Sequence, residues 1–534
     1  MPLELPRLLT GRTLALSGLG SFLLSLIYTY PLVMAPHEAN RFDSPDALLS
    51  AWILSWDLHA ILNGNPAIFD ANIFFPERNT LAYSENLVAA ALLVLPFRLF
   101  TDNPVLLLNA ALVMALVANG ISGFALGCLF SRSRYGGALT GLLFAFAPFH
   151  WVHIPHLQLQ LAFPLPAAFY FARRMRDAPG ARPALGLALS IAASFGCSGY
   201  YALFLATALP LFVLVDLGGI ESERRGRTLA GFVAAASAAL MLSLPLLLPY
   251  ASKMDAGYRR VLSAASVNSA TPRAYVTSVS RFHNFLPDEE EPFFPGFAAS
   301  VLAALAFWRA VRGGQTRHDV LLWSFVGIGG IALSLGPDLG LFTLLHRLGP
   351  YQGLRVPARA GILFLLAASV LAGIGLARVR TRRSRLAFLT LAAAECYAGP
   401  LPWTQEVPPL PPIYTHISTL EERGALVELP LPPPERFQDN ARYVYRSIFH
   451  FRPLVNGYSG FVPQSYRKAY RLLMSERFEE GLEHMARLGV RFVVAHKSRF
   501  GPRMRRQIEE AERRGKLVIL QVSGPDRLYR LEGD

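Results

Sequence analysis

The sequence predicts a polytopic α-helical membrane protein that ends in a small α/β domain. Of its 534 residues, 52% are hydrophobic and only 16% are charged, and its mean hydropathy is +0.33. A soluble protein carries roughly 25% charged residues, whereas here long apolar stretches follow one another through most of the chain. This composition excludes a cytosolic enzyme, a disordered chain and a small secreted scaffold.

The apolar stretches divide into candidate membrane spans. Each approaches the roughly 20 residues that cross a hydrocarbon core about 30 Å thick, so we expect about 11–12 transmembrane helices. Several of the stretches are short. The predicted spans cover residues 13–34, 104–130, 136–153, 157–172, 183–199, 201–219, 228–250, 297–311, 320–337, 357–377 and 386–400.

Arginine clusters set the predicted orientation. The net charge of +14 could indicate a nucleic-acid partner, but the arginines collect in short loops between spans, and such loops are cytoplasmic under the positive-inside rule. We therefore expect no nucleic acid and a multi-pass protein of a bacterial inner membrane. The five basic loops lie at residues 132–134, 173–182, 224–227, 309–317 and 378–385.

Three long segments then fall on the outer, periplasmic side. They are a first outer loop at 35–103, a middle outer loop at 251–296 and the tail. The predicted domains are thus a transmembrane bundle at 1–400 and a periplasmic α/β domain at 401–534. The apolar stretch 86–100 is predicted to be re-entrant or interfacial, because a crossing there would reverse the alternation. Periodicity in the tail predicts strands at 425–431, 490–496 and 517–522 and helices at 464–488 and 503–514.

The first outer loop carries the most informative acidic residues. Asp43 and Asp46 stand at the start of a helix predicted after Pro45, with Trp52 and Trp56 at headgroup depth. Carboxylates there can act as a base or hold a divalent cation such as Mg or Mn. The alternative is that Asp43 or its neighbour merely caps the helix.

Other polar residues lie at predicted outer span ends. Glu85 opens the segment 86–100 and would face a cavity if that segment dips inward, or it is a carboxylate that favours a helix start. His153, His156 and Gln158 occupy a turn between spans and suit donation to a phosphate or sugar. A metal site is the alternative for the histidines.

Two arginines on the outer face require an explanation, because arginine is disfavoured near short outer loops. Arg355 and Arg359 are suited to bind a lipid phosphate in two-pronged fashion, and ordinary contact with headgroups is the alternative. The acidic run at 288–291 in the middle loop is predicted to be a solvated face.

Six short strings resemble uncharacterised bacterial members of the GT-C glycosyltransferase superfamily. The layout of a long first outer loop, many spans and an outer C-terminal domain is also similar to that superfamily. The resemblance covers most of the chain and is strongest at 40–180. The strings are DALLSAW (46–52), DANIFFP (70–76), NTLAYSE (79–85), HIPHLQ (153–158), LRVPAR (354–359) and PLVNGYSG (453–460).

The resemblance implies a GT-C-like fold and an inverting hexosyl- or pentosyltransferase. Such an enzyme moves a sugar from a polyprenyl-phosphate donor to a lipid, glycan or protein acceptor on the outer face. It implies Asp46 or Asp43 as the base or metal ligand, and Arg355 and Arg359 as donor-phosphate ligands. The spacing Asp-x-x-Asp departs from the adjacent or alternating acids of many relatives. The implied substrate-binding residues are Glu85, His153, His156, Gln158, Arg355 and Arg359.

Two other functions remain open on the sequence. One is a non-enzymatic transporter or flippase of lipid-linked saccharides, and the other is a degenerate GT-C scaffold without catalysis. A transporter carries ionisable residues midway through its spans, and the predicted spans contain few. This favours chemistry at the membrane surface.

Overall fold

The computed structural model describes residues 8–218, 222–287, 289–314, 316–404 and 410–533. They form two compact units. The membrane unit comprises the chain up to Pro36 and Asn109–Trp403, and the loop–tail unit comprises His37–Leu108 and Thr404–Asp534. The first outer loop, which the sequence analysis places between two spans of the bundle, therefore packs with the tail.

The membrane unit is helical. Prolines begin several of its helices, where the missing N–H is tolerated and φ is already suitable. Its helices are Gly11–Tyr28, Pro104–Ser131, Arg134–Ala145, Pro148–Val152, Leu157–Gln160, Pro164–Asp177, Ala181–Cys197, Gly199–Asp216, Ser222–Asp255, Leu262–Val267, Phe297–Val311, Arg317–Ser334, Leu341–Leu345, Gly361–Ala377 and Arg382–Glu395.

Within the described residues, five helices are long and apolar enough to cross a membrane. The other predicted spans form helices that are shorter or less apolar, and two of them are interrupted. The span predicted at 136–153 breaks before Pro148, since the residue before a proline is driven out of the helical region and Ala147 has a ψ of 148°. The one at 157–172 breaks at Leu161, whose ψ of 56° is not helical. The chain is a multi-pass membrane protein, as predicted. The five helices are Gly11–Tyr28, Pro104–Ser131, Gly199–Asp216, Arg224–Asp255 and Pro357–Ala377.

The helix Gly361–Ala377 lies at the centre of the membrane unit. It packs against Arg134–Ala145, Phe297–Val311 and Arg317–Ser334, and nearly all of its side chains are buried. At Gly375 an added Cβ would lie 1.9 Å from the carbonyl oxygen of Leu302. Only glycine permits this close approach, which is how small residues bring membrane helices together.

An ion cluster joins three helix ends of the same unit. The guanidinium of Arg173 lies 2.8 Å from Asp216 and 2.9 Å from Asp319, and it stacks over the ring of Phe130. His318 also contacts Asp216, at 3.0 Å. These charges are therefore paired and serve to hold helices together.

The loop–tail unit is a mixed α/β structure. Its four-stranded sheet has the order β1-β2-β4-β3; β1 and β2 are parallel, and the other pairs are antiparallel. Periodicity in the sequence predicts the first three strands but not β4. The strands are β1 (Ala425–Leu429), β2 (Val490–His496), β3 (Leu517–Ser523) and β4 (Asp526–Leu531), and the helices are Pro45–Leu62, Val88–Val94, Pro412–Thr419, Ala441–Arg446, Gln464–Leu473, Phe478–Leu488 and Pro502–Arg513.

The first outer loop extends the hydrogen bonding of the tail sheet. Backbone of residues 453–455 bonds to Leu426 on β1. The same stretch bonds on its other side to the first loop: Leu454 N–H donates to Asn72 O, and Phe75 N–H donates to Leu454 O. A buried backbone needs such partners, and this explains why the first outer loop and the tail form one unit.

The apolar stretch 86–100 consists of the helix Val88–Val94 and the 3₁₀ turn Leu95–Leu99. At about 1.5 Å per residue, neither is long enough to cross a membrane. Leu99 and Phe100 are more than four-fifths exposed. A re-entrant or interfacial position for this stretch remains a prediction.

Candidate functional site

The helix Pro45–Leu62 positions the predicted catalytic acids. Pro45 occupies its first turn, and the hydroxyl of Ser44 accepts a hydrogen bond from the backbone N–H of Asp46 at 3.3 Å. Ser44 thus caps the helix. The carboxylates of Asp43 and Asp46 are not needed for that purpose.

The tryptophans of this helix are buried inside the loop–tail unit. Trp52 and Trp56 are 1% and 6% exposed, and the indole N–H groups donate to Asn72 Oδ1 and to the carbonyl of Ile68. The prediction that they lie at headgroup depth is therefore wrong. An indole ring is stable in a protein core once its N–H has an acceptor.

Asp43 and Asp46 have different environments. Both carboxylate oxygens of Asp43 accept bonds of 2.9 Å from Arg41 near the surface, and this hydrogen bonding lowers the pKa of Asp43. Oδ1 of Asp46 instead accepts a 2.6 Å hydrogen bond from the hydroxyl of Tyr458. Asp46 is the better placed of the two to act as a base, since Asp43 is engaged in an ion pair.

These acids do not fit a divalent-cation site. Asp43 is held by a guanidinium, which excludes a second cation from the same oxygens. Across the described part of the chain, no group of three or more His, Cys, Asp or Glu residues is placed to hold a metal ion. This applies to the histidine turn as well.

A second acid on the same helix, Asp57, was not predicted as a site residue. Asp57 is fully buried; its Oδ2 accepts the backbone N–H of Leu87 at 2.8 Å, and its Oδ1 has no hydrogen-bond partner among the described residues. Burial raises the pKa of Asp57 to about 8, although the bond from Leu87 opposes the shift. No local pattern distinguishes it from the surrounding apolar residues.

Glu85 lies in the same unit, in the connection between the 3₁₀ turn Thr80–Tyr83 and the helix Val88–Val94. It is half-buried. A substrate-binding role for Glu85 remains a prediction.

The histidine turn belongs to the membrane unit. It runs between the short helices Pro148–Val152 and Leu157–Gln160, and the side chain of Gln160 fixes it by donating to the carbonyls of His150 and His153 at 3.0 and 2.8 Å. The rings of His153 and His156 meet edge to face, with centroids 5.6 Å apart. Gln158 is half-buried on the same turn.

His153 pairs with Glu291 of the middle loop. Its Nε2 lies 2.9 Å from Oε2 of Glu291. Burial would raise the pKa of Glu291, but His153, Arg359 and His156 outweigh burial and lower it. The carboxylate is therefore ionised and accepts the bond from His153. The prediction that the acidic run at 288–291 is a solvated face is therefore wrong at Glu291. Residue 288 lies outside the described residues.

Arg359 is a buried cation in this cluster. Only 9% of it is exposed, and its guanidinium stacks over the ring of Tyr200, 4.6 Å from the centroid. Its Nε–H is buried and has no hydrogen-bond partner among the described residues. Buried donors are nearly always satisfied, so Arg359 has capacity for an additional acceptor.

Arg355 and Arg260 extend the positive charge. Arg355 is exposed, and burial together with the charge of Arg355 lowers the pKa of Arg260. Like charges near one another are unfavourable unless an anion accompanies them. Arg260 was missed because a single arginine in a long loop carries no pattern of its own.

The predicted residues thus fall into two groups. Asp43, Asp46 and Glu85 belong to the loop–tail unit. The others belong to the membrane unit, where His153, His156 and Arg359 are grouped with Glu291. The first group offers a carboxylate that can accept a proton, and the second offers cationic donors for an anion.

Comparison with solved structures identifies the fold. The chain superimposes on the arabinofuranosyltransferase AftD from Mycobacteria with a TM-score of 0.56, at 14% identity over 98% of this chain. A mutant of AftD gives 0.57. ArnT from Cupriavidus metallidurans, bound to undecaprenyl phosphate, gives 0.48 at 11% identity over 97% of each chain. The chain spans 40% of the length of AftD.

No protein-family model and no curated protein sequence matches the chain. The fold is therefore identified by three-dimensional likeness alone. The chain shares the fold of AftD. It is a multi-pass helical membrane protein with a small mixed C-terminal sheet, as predicted.

Proposed function

We propose that the chain is an inverting glycosyltransferase of the bacterial inner membrane. It takes a hexose or pentose from a polyprenyl-phosphate donor and transfers it to a lipid, glycan or protein acceptor on the periplasmic side. Folds host many chemistries, so the fold of AftD supports this proposal only together with the site residues.

The observation that carries the proposal is the buried guanidinium of Arg359 with its unsatisfied Nε–H. A phosphate oxygen is the acceptor that a guanidinium binds best, in a charge-assisted and directional bond. Arg355 adds a second positive charge, and His153 and His156 add donors. Glu291 keeps His153 oriented and limits the net positive charge of the cluster.

Asp46 supplies the other half of the proposed chemistry. The acceptor hydroxyl attacks the anomeric carbon while Asp46 takes its proton, and the bond between that carbon and the phosphate oxygen breaks. The electron pair leaves with the polyprenyl phosphate, whose negative charge requires cationic neutralisation. Attack opposite the leaving group inverts the anomeric configuration.

Transfer of labelled sugar in proteoliposomes tests the proposal. Wild type and Asp46→Asn would be compared on a panel of polyprenyl-phosphate hexoses and pentoses, beginning with arabinofuranose because of the fold of AftD. We expect turnover with at least one donor in the wild type and its loss in Asp46→Asn. Saturable donor binding without turnover in the wild type would instead favour the flippase or the degenerate scaffold.

A further inference from the structure

We propose that Tyr458 of the tail is a positioning residue for the Asp46 carboxylate, so that the tail is part of the reaction centre. This inference rests on the proposed function. The two residues are 412 positions apart, yet the hydroxyl of Tyr458 donates to Oδ1 of Asp46 at 2.6 Å. A hydrogen bond to a carboxylate is short and comparatively strong.

The backbone around Tyr458 is held from two sides. Phe74 N–H of the first outer loop donates to Asn456 O, and Gly460 N–H donates to Tyr83 O. Tyr458 lies between these two anchors, and its ring packs against Phe437 with centroids 5.6 Å apart. The hydroxyl is thus aimed by a fixed segment.

The side chain of Asn456 fixes the same segment to the tail sheet. It accepts a bond from the backbone N–H of Glu428 at 2.8 Å and donates to the carbonyl of Glu428 at 2.9 Å. It also donates to Asn440 Oδ1 at 3.1 Å. All three residues are fully buried, which makes these bonds costly to break.

Strain and close packing point to the same conclusion. Phe74 has a φ of +58°, a conformation that costs energy for a residue with a bulky side chain and tends to occur where function requires it. A Cβ on Gly457 would lie 2.5 Å from the Phe74 ring. The position next to Tyr458 therefore has no room for a Cβ while the Phe74 ring keeps its place, and the loop cannot shift without moving Phe74.

A positioning role differs from a purely structural one in its kinetic signature. A hydroxyl that donates to a carboxylate favours the charged form of that carboxylate, which is the form that accepts a proton. Removing the hydroxyl therefore affects the chemical step and its pH dependence. A structural contact would affect the yield of folded protein or the KM but not the acid limb of the pH–rate profile.

The test compares wild type, Tyr458→Phe and the matched variant Tyr443→Phe in the proteoliposome assay. Tyr443 is a tail tyrosine whose hydroxyl accepts from Arg499. We expect Tyr458→Phe to lower kcat about ten- to a hundredfold, to leave the donor KM unchanged and to move the acid limb to higher pH. Tyr443→Phe should match the wild type in all three quantities.

A second variant keeps the test decisive if Tyr458→Phe folds poorly. Gly457→Ala should lower kcat in the same way by displacing the segment, and the double variant Gly457→Ala, Phe74→Leu should recover part of the loss. If Tyr458→Phe keeps the wild-type kcat and the wild-type acid limb while Asp46→Asn is inactive, the inference is wrong but the proposed function stands. No turnover in the wild type would overturn the proposed function, and the inference with it.

Discussion

Nε2 of His153 lies 2.9 Å from Oε2 of Glu291, so the histidine turn and the middle loop share a partly buried hydrogen bond. The two residues are far apart in the sequence, and Glu291 belongs to an acidic run that indicates only a solvated face. Glu291 interacts with Arg359 as well as with His153, and these residues therefore form one cluster. That cluster contains Arg359, a cation whose buried Nε–H has no hydrogen-bond partner among the described residues.

Arg359→Lys should weaken donor binding by about ten- to a hundredfold. Lysine lacks the planar fork that stacks on Tyr200 and bonds a phosphate in two-pronged fashion, so this substitution is not conservative. Donor titration of the protein in proteoliposomes measures the effect. The matched control is Arg347→Lys, which changes an exposed arginine of the same loop. Equal donor affinity in the two variants would show that Arg359 does not bind the phosphate.

Asp57→Asn should raise the melting temperature by several degrees at pH 7.5. The folded-state pKa of about 8 lies above the value of about 3.9 in an unfolded chain. Binding of a proton to the Asp57 carboxyl stabilises the folded state. This stabilisation is fully present below about pH 4 and is lost as the pH rises toward 8. Asparagine is neutral, can still accept from Leu87, and offers an N–H where the protonated acid offers an O–H.

The measurement for Asp57 is thermal unfolding of the full chain in detergent at pH 4.5 and pH 7.5. The two proteins should differ little at the lower pH and clearly at the higher one. Asp102→Asn, at an exposed acid paired with Arg98, is the control and should not differ from wild type. A melting temperature that is lower for Asp57→Asn at pH 7.5 would contradict the raised pKa.

Arg173→Met should destabilise the membrane unit by about 3–5 kcal/mol, because it leaves Asp319 buried without its cation and removes from Asp216 its nearest guanidinium. The triple variant in which both aspartates are also replaced by leucine should regain much of the loss, since an apolar cluster needs no counter-charge. Arg182→Met, at an exposed arginine, is the control. Thermal unfolding in detergent compares all four proteins, and an unchanged Arg173→Met would contradict a structural ion cluster.

Composition and periodicity predict much of this fold. The helix after Pro45 and the first three tail strands follow from local signals, and the membrane class follows from hydropathy. The pairing of the first outer loop with the tail does not, because it depends on backbone bonds such as Leu454 to Asn72. Sequence patterns describe neighbours along the chain and contain little information about partners several hundred residues away.

The candidate site shows the same division. Asp46 and Arg359 were predicted because their residue types are unusual in their local setting. No role was predicted for Tyr458 or Glu291, because each contacts a partner that is distant in the sequence, Asp46 and His153 respectively. The burial of Trp52 was likewise mispredicted, because its acceptor Asn72 is supplied by another part of the loop.

The central claim is that Asp46 is the base of a glycosyl transfer. The most direct test is the turnover of Asp46→Asn beside Asp43→Asn at saturating donor, in proteoliposomes with verified insertion. Loss of a general base costs about 10²- to 10⁴-fold, so Asp46→Asn should fall by at least about 10², while Asp43→Asn, which only breaks a surface pair with Arg41, should stay near wild type. Wild-type turnover in Asp46→Asn would contradict the claim.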